Sequence, residues 1–545
     1  MQIEKSTMTQ RACNNTKNRV PDSLMNLAQG RTDLAWYQAE TGHILVLGTL
    51  DPGLLDYVYR FAPEIRSDIE LLRRSENLVL DIKTCSAWRG GESVQKIEPL
   101  ECVELIANLS VIASFPKKCL SADDLAAPYV SVILGAGKGS RMANDDSQKV
   151  CTYIGTRSAT ERALEIYRRT GFTRNILVVG HGSVKVVKHI SEVCPDTTFV
   201  LQARLLGTGH AAQQAMYLLE EQGFKGDVLV VAGDKVIDPA ALQLLRQEFE
   251  ASGADLMALC TAKSRWPNSG RILLNPEGTI EAIIETMDIK KMKIVSSLLE
   301  QTESGGQLDP QTVRDWIWKE VPNEKKRRKA FPHAFLDRLQ KVEPLDREEL
   351  ASFINPTDAF FEYRTTDGNV VRLTGDQIEQ SARVVNVSVY LFKSDAFYFA
   401  VKRITNNNAQ MEYYLTDIFE ILCKARCEKG MRQFKVLPLE LEDTEQVLGF
   451  NTEQELKDIL IYLRSKMVAQ LRQRGVLVDE TAEKSDVFWV DDLDSIEKIG
   501  SGTRILGDAV VDLGPDPNHR IGANCVIDNA RVYRETIPDG TVRRG

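Results

Sequence analysis

The chain has no apolar run near the roughly 20 residues that cross a bilayer, and its polar start, Met1–Asn15, has no apolar signal core. Both absences predict a cytoplasmic protein with no membrane partner. Excess positive charge is missing too: 68 Lys and Arg stand against 77 Asp and Glu, a net charge of −9. Nothing global would therefore recruit nucleic acid or an anionic surface. Attraction for a polyphosphate would have to come from local cations, backbone N–H groups or a metal ion. Paired cysteine motifs are also absent. The ten cysteines are scattered, and Cys423 and Cys427, four apart in an expected helix, have no matching His or Cys cluster. That pattern reads as reduced thiols rather than a zinc site.

What is present is 545 residues of ordinary globular composition, 43% hydrophobic and 27% charged, enough for about three domains at 100–200 residues each. Residues 1–20 read as disordered. The rest of 1–125 carries mixed strand and helix patterns, such as the strand His43–Leu50 and the helix-like Asp56–Arg74, with no catalytic motif. From Tyr129 short apolar strands alternate with amphipathic helices: YVSVIL, NILVV, TFVL and DVLVV are separated by TERALEIYRR, VKVVKHISEV and HAAQQAMYLLEE. Strands apolar on both faces, joined through helices, predict an α/β fold with a mostly parallel, Rossmann-like sheet covered on both faces. Ligands of such sheets sit beyond the carboxyl ends of the strands, where GAGKGSRM, GHG, LLGTGH and GDK lie. The domain is expected over 126–455, interrupted at 288–383 by a charged helical insertion holding Trp316 and Trp318. A connecting helix should fill 456–485. Residues 486–545 place apolar side chains near every sixth position, Ile521 and Ile527 among them, which predicts a short left-handed parallel β-helix.

The turn Ile133–Met142 (ILGAGKGSRM) lets backbone N–H groups approach phosphate oxygens, because Gly135, Gly137 and Gly139 have no side chains. It is neither of the better-known glycine loops. The dinucleotide fingerprint needs Gly or Ala where Ser140 stands, and the P-loop needs Gly there before Lys. Arg141 and Lys149 follow, two cations suited to a triphosphate: a fork for phosphate oxygens and a point charge.

LGAGKGSRM with QKV resembles the glycine-rich motif of the sugar nucleotidylyltransferases, with Ser140 for Thr, Gln148 for Pro and a gap to Lys149 one residue longer. LQARLLGTGHA, VVAGDKVI, SGRILL, IIETMD, VVNVSVY, NNNAQMEYYLTD and LGFNTEQEL extend the resemblance. Together they are similar to the uridylyltransferase part of bacterial N-acetylglucosamine-1-phosphate uridylyltransferases over roughly 127–490, less the insertion. The resemblance implies nucleotide contacts at Leu134, Gly135, Ala136, Gly137, Gly139, Gln202, Gly207 and Thr208, with Gln202 reading uracil. It implies Arg141 and Lys149 as the catalytic cations, and sugar contacts at Gly270, Glu285, Asn386, Tyr413 and Thr416. Asp234 and Asn451 would hold Mg²⁺. Asp234 and Asn451 are also residue types that cap helices, and Tyr413 and Tyr414 could divide between ligand and core.

The implied partners are UTP and a sugar-1-phosphate, first N-acetylglucosamine-1-phosphate. The implied reaction is in-line attack of the sugar phosphate on the α-phosphorus, with release of pyrophosphate. Three departures bear on this. The tail is too short for the family's second, acetyl-transfer activity and would serve capping or homo-oligomer formation. The insertion falls between Glu285 and Asn386, two expected sugar contacts. Val387 and Ser388 stand where a Thr-Gly pair is expected. The alternatives are a different sugar-1-phosphate, or an inactive relative that binds a nucleotide sugar as a regulator.

Overall fold

A computed structural model describes five strands between residues 34 and 96, then residues 128–545 except 138–148, 181–183, 304, 366–368, 428–429 and 492. The disorder expected over 1–20, the helix expected at Asp56–Arg74, and loop positions Gly139 and Arg141 lie outside the described residues. The five strands Leu34–Gln38, Ile44–Gly48, Leu78–Asp81, Ser86–Arg89 and Glu92–Lys96 form one antiparallel sheet in chain order.

The central sheet runs Thr198–Leu201, Arg174–Val179, Tyr129–Leu134, Asp227–Ala232, Val384–Lys393, Leu256–Ala262 and Val436–Glu440. All of these point the same way except Val384–Lys393, which is antiparallel to both neighbours. Arg174–Val179 and Thr198–Leu201 are buried along their whole length, as double-sided helix cover demands. Ala159–Arg169 packs with Pro239–Ser252, and Thr208–Glu221 packs with Ser394–Val401. The first pair begins where the sequence supplies a cap; Thr208–Glu221 and Ser394–Val401 start without a side-chain cap. Ser158 and Glu161 form a reciprocal capping box for the first, and Asp238 with Pro239 starts the second. No helix among the described residues is long and apolar enough to cross a membrane.

The insertion leaves the sheet after Ile280–Ile284 through the helix Thr286–Thr302. Helices Pro310–Glu320, Glu324–Ala330, His333–Arg338 and Arg347–Phe353 follow, then a hairpin of Phe360–Arg364 with Val370–Thr374. It has a core of its own, in which Leu298, Ile317, Phe335 and Leu350 are sealed from solvent. Ala409, from a loop of the sheet domain, belongs to that core, so the insertion is seated on the domain it interrupts.

The connecting helix is Glu453–Gln473, capped by Thr452. Beyond it the tail winds as a parallel coil with three faces. One face stacks Leu477–Val478, Arg504–Leu506, Val526–Asp528 and Val542–Arg544. A second stacks Trp489–Val490, Val510–Asp512 and Arg531–Tyr533. The third is marked by the bridges Ile499–Ile521–Ile537. Ile499, Ile505, Val511, Ile521, Ile527, Val532 and Ile537 all point inward and are buried, which is what the six-residue rhythm in the sequence records.

The coil is joined to the sheet domain by an ionic cluster in which Asp491 is buried and Arg157 half-buried. Arg157 donates from Nε and Nη2 to the two oxygens of Asp491, both at 3.1 Å, and from Nη2 to Asp494 at 2.5 Å. Arg169 also donates to Asp494 and to the Leu493 carbonyl. Beside the cluster Trp489 lies against Gly155, where a Cβ would come within 1.9 Å of the indole ring. Asp491→Ala leaves the half-buried guanidinium short of its main partner. It is expected to cost on the order of 3 kcal/mol, read as a lower midpoint in urea unfolding. An unchanged midpoint would mean that this pair does not hold the coil.

Candidate functional site

A cleft of about 590 Å³ opens beyond the carboxyl ends of Tyr129–Leu134 and Asp227–Ala232. These adjacent parallel strands are in register with Leu134 opposite Ala232, at the point where the strand order reverses. The turns that leave them are pressed together. The Gly233 N–H donates to the Leu134 carbonyl at 3.0 Å, and a Cβ on Gly233 would lie 2.9 Å from that oxygen. Leu134, Gly135, Ala136 and Gly137 line one wall, and Gly233 and Asp234 the floor.

Asp234 and Asn451 meet because of a short pairing across the chain. Lys235–Ile237 runs antiparallel to Val447–Gly449, with Lys235 opposite Gly449. Neither residue is spent on a cap: Asp238 caps one following helix and Thr452 the other. Lys149 completes the group, its Nζ donating to Asp234 Oδ2 at 2.6 Å and to Asn451 Oδ1 at 3.0 Å. Burial alone would push the Asp234 carboxyl up, but the charges of Lys235 and Lys149 hold it below the ordinary carboxylate value. Asp234 Oδ1 is buried and accepts no hydrogen bond among the described residues. Lys235 Nζ stands 4.0 Å from that oxygen. An ionised carboxylate with one oxygen outside any hydrogen bond, beside an amide oxygen, is a hard donor set that suits Mg²⁺, which needs few protein ligands.

Across the cleft, Gln202 is buried, and its Nε2 lies 3.0 Å from the Gly207 carbonyl and 3.1 Å from His210 Nδ1. Gly207 has φ 119°, and a Cβ there would fall 2.5 Å from the Tyr413 carbonyl. The loop around it is stitched to the segment Glu412–Thr416. Gly209 N–H donates to Tyr413 O at 2.7 Å, Tyr413 N–H to Leu206 O at 2.8 Å, and Leu415 N–H to Thr208 Oγ1 at 3.2 Å. Tyr413 sets its ring against His210, with centroids 5.8 Å apart.

The expected sugar contacts gather next door. The Asn386 N–H donates to Gly270 O at 3.0 Å, a Cβ on Gly270 would lie 3.5 Å from Glu285 Oε1, and Thr416 Oγ1 donates to that oxygen at 3.0 Å. Glu285, Asp288, Tyr414, Thr416 and Asp417 line a second cavity of about 260 Å³, and the insertion closes it with Phe360 and Phe361. Here Tyr414 rather than Tyr413 lines the wall, its hydroxyl buried and without a hydrogen-bond partner among the described residues. The sequence offered no way to rank two adjacent tyrosines. Lys325, which lines the first cleft, carried no motif, and Glu412, which lines it too, sat inside NNNAQMEYYLTD without being singled out.

Residues 131–317 match the MobA-like NTP transferase domain. The bifunctional protein GlmU of Nostoc sp. is 24% identical over 426 residues, covering 76% of this chain and 70% of that protein. GlmU of Geobacter metallireducens is 26% identical over 413 residues, covering 75% and 63%. GlmU of Ruegeria sp. is 39% identical over 158 residues, covering 29% and 34%. The chain is thus similar to GlmU proteins over about three quarters of its length, and its NTP transferase match falls within that stretch. In this GlmU-like chain the NTP transferase match begins in the strand that feeds the glycine turn and ends inside the insertion.

The GlmU-like cleft carries an unusual titration beside it. Burial, with the charges of Glu420, Asp288 and Glu285, pushes the Asp417 carboxyl up to about 8. Its unfolded value is near 4. A carboxyl whose pKa is raised by folding costs nothing below its unfolded value and destabilises progressively as pH climbs to the folded one. Thermal midpoints should therefore fall between about pH 4 and pH 8, and Asp417→Asn should flatten that slope. Parallel pH profiles for the two proteins would refute the assignment.

Proposed function

We propose that this protein transfers a uridylyl group from UTP to a sugar-1-phosphate, first N-acetylglucosamine-1-phosphate, giving a UDP-sugar and pyrophosphate. The observation that carries the reading is the meeting of Lys149, Asp234 and Asn451 at the mouth of the glycine turn, where Asp234 Oδ1 accepts no hydrogen bond among the described residues. A phosphate oxygen of the sugar attacks the α-phosphorus, the bond to the bridging oxygen breaks, and pyrophosphate leaves. The nucleophile is already anionic, so no general base or covalent intermediate is required. The obstacle is the meeting of two polyanions, which makes positioning and neutralisation the protein's task. Bound Mg²⁺, held by Asp234 and Asn451, would supply positive charge to the phosphates. Lys149 neutralises charge near the α-phosphate, and the backbone N–H groups of Ala136 and Gly137 with Arg141 hold the outer phosphates; the Gly135 N–H is spent on the Val178 carbonyl at 2.9 Å. Gln202 orients the base: its Nε2 is engaged with Gly207 and His210, which leaves its oxygen to accept the uracil N3–H. Gly207 and Thr208 face the nucleoside, while Gly270, Glu285, Asn386, Tyr414 and Thr416 face the sugar. We read the C-terminal coil as left-handed and as a surface through which copies of the chain associate.

A different sugar-1-phosphate is the second reading. It is favoured by the insertion, whose Thr357, Asp358, Phe360 and Phe361 share the wall of the sugar-side cavity and so set its size. Pyrophosphate release with Mg²⁺, UTP and a panel of sugar-1-phosphates separates the two. Lys149→Ala, Asp234→Asn and Arg141→Ala are each expected to lower kcat by about 10²–10³-fold with the fold intact by circular dichroism. A folded wild type that binds a UDP-sugar yet releases no pyrophosphate with any pair would instead make the chain a nucleotide-sugar sensor.

A further inference from the structure

The insertion does more than wall the sugar cavity. Its helix Glu324–Ala330 (EKKRRKA) is anchored from below by Arg327. That buried guanidinium donates to the Val321 carbonyl at 2.7 Å and lies 4.0 Å from the centre of the Trp318 ring. With Arg327 turned inward, Lys325 and Lys329, four apart and so on one helix face, turn toward the loop Glu412–Thr416. Lys329 Nζ donates to Glu412 Oε1 at 2.7 Å, and Lys325 lines the nucleotide cleft together with Glu412, Gly135, Lys149, Gln202 and Asp234.

The charges of that wall are mostly spoken for. Lys149 is hydrogen-bonded to Asp234, and Glu412 is paired with Lys329. Among the described residues, Lys325 forms no ion pair or hydrogen bond, although Glu412 stands on the same wall. An ammonium group held over a cleft that takes polyphosphate, with the nearby carboxylate already neutralised, has phosphate oxygen as its natural partner. We propose that Lys325 is a phosphate-binding residue of the nucleotide cleft, so that the insertion supplies part of the site from outside the sheet domain. This rests on the function proposed above. The experiment distinguishes a phosphate of the triphosphate from that of the sugar-1-phosphate.

The full-length chain is compared with Lys325→Ala, Lys325→Arg and Lys326→Ala, the last a neighbour on the same helix outside the cleft wall. Steady-state kinetics with Mg²⁺ are run by varying UTP and the sugar-1-phosphate separately, and binding of inorganic pyrophosphate is measured by calorimetry. Lys325→Ala should raise the KM of one substrate about tenfold, the weight of one charge-assisted hydrogen bond, with kcat changed much less. It should weaken pyrophosphate binding and flatten the salt dependence of both, while Lys325→Arg restores them and Lys326→Ala changes neither. The substrate whose KM moves identifies the phosphate. If turnover proceeds and Lys325→Ala leaves both KM values and pyrophosphate binding unchanged, this inference falls and the proposed function stands. If no pair turns over but pyrophosphate still binds in a Lys325-dependent way, the function falls and the phosphate contact survives. A wild type that does neither overturns both.

Discussion

The site depends on a three-residue strand. Lys235–Ile237 pairs with Val447–Gly449, and that ladder carries Asn451 to the end of the strand that delivers Asp234. Without it the two oxygen donors would have no reason to meet, and Lys149 would lose its bond to Asn451. The ladder is short and its hydrogen bonds alone are worth little net stability. It is backed by apolar packing, in which Val236, Leu448 and Phe450 share a buried cluster with Ile459 and Trp489. That cluster joins the floor of the cleft, the connecting helix and the coil, so the position of Asn451 is set by three parts of the molecule at once.

The second constraint is the segment Glu412–Thr416. Glu412 faces the nucleotide cleft, Tyr414 and Thr416 face the sugar-side cavity, and the backbone between them is hydrogen-bonded to the loop after Gln202. The insertion rests on the same segment through Lys329, and on the loop just before it through Asp288, whose Oδ1 accepts from Ala409 N–H at 2.8 Å. One stretch of chain thus forms the partition between two cavities and the footing of the subdomain above them.

The sheet domain was legible because its strands are apolar on both faces and alternate with helical patterns, both local signals. The meeting of Asp234 and Asn451 could be anticipated only through resemblance, since no spacing rule spans that separation. The parallel winding of the tail was legible from its rhythm, because each buried Ile or Val marks one of the three faces of the coil. Other features were out of reach. The basic run at 323–333 read only as part of a charged helical insertion, and nothing local says that Lys325 faces the cleft. Ser388, which replaces an expected glycine, looked like a break in the sugar motif. In the structure it sits at φ 60°, where glycine is most at ease, in a strand whose register shifts against Leu256–Ala262. Its N–H donates to Asn386 Oδ1 at 2.8 Å, and Tyr390 donates to the same oxygen at 2.8 Å. The left-handed turn is held by side-chain hydrogen bonds, so a rule keyed to glycine passes over it.

The separation of the parts that must meet carries a kinetic consequence. Lys149 and Asn451 are 302 residues apart, and Arg157 and Asp491 are 334 apart. Contacts of such range are slow to form, because loop closure must be completed before they contribute. During synthesis the strand Tyr129–Leu134 and the turn after it leave the ribosome long before the residues that finish the cleft. The half-built sheet must then wait with the edge beside Asp227–Ala232 open until Val384–Lys393 arrives. Chains caught in that interval expose an unpaired strand edge, the kind of surface from which aggregation begins.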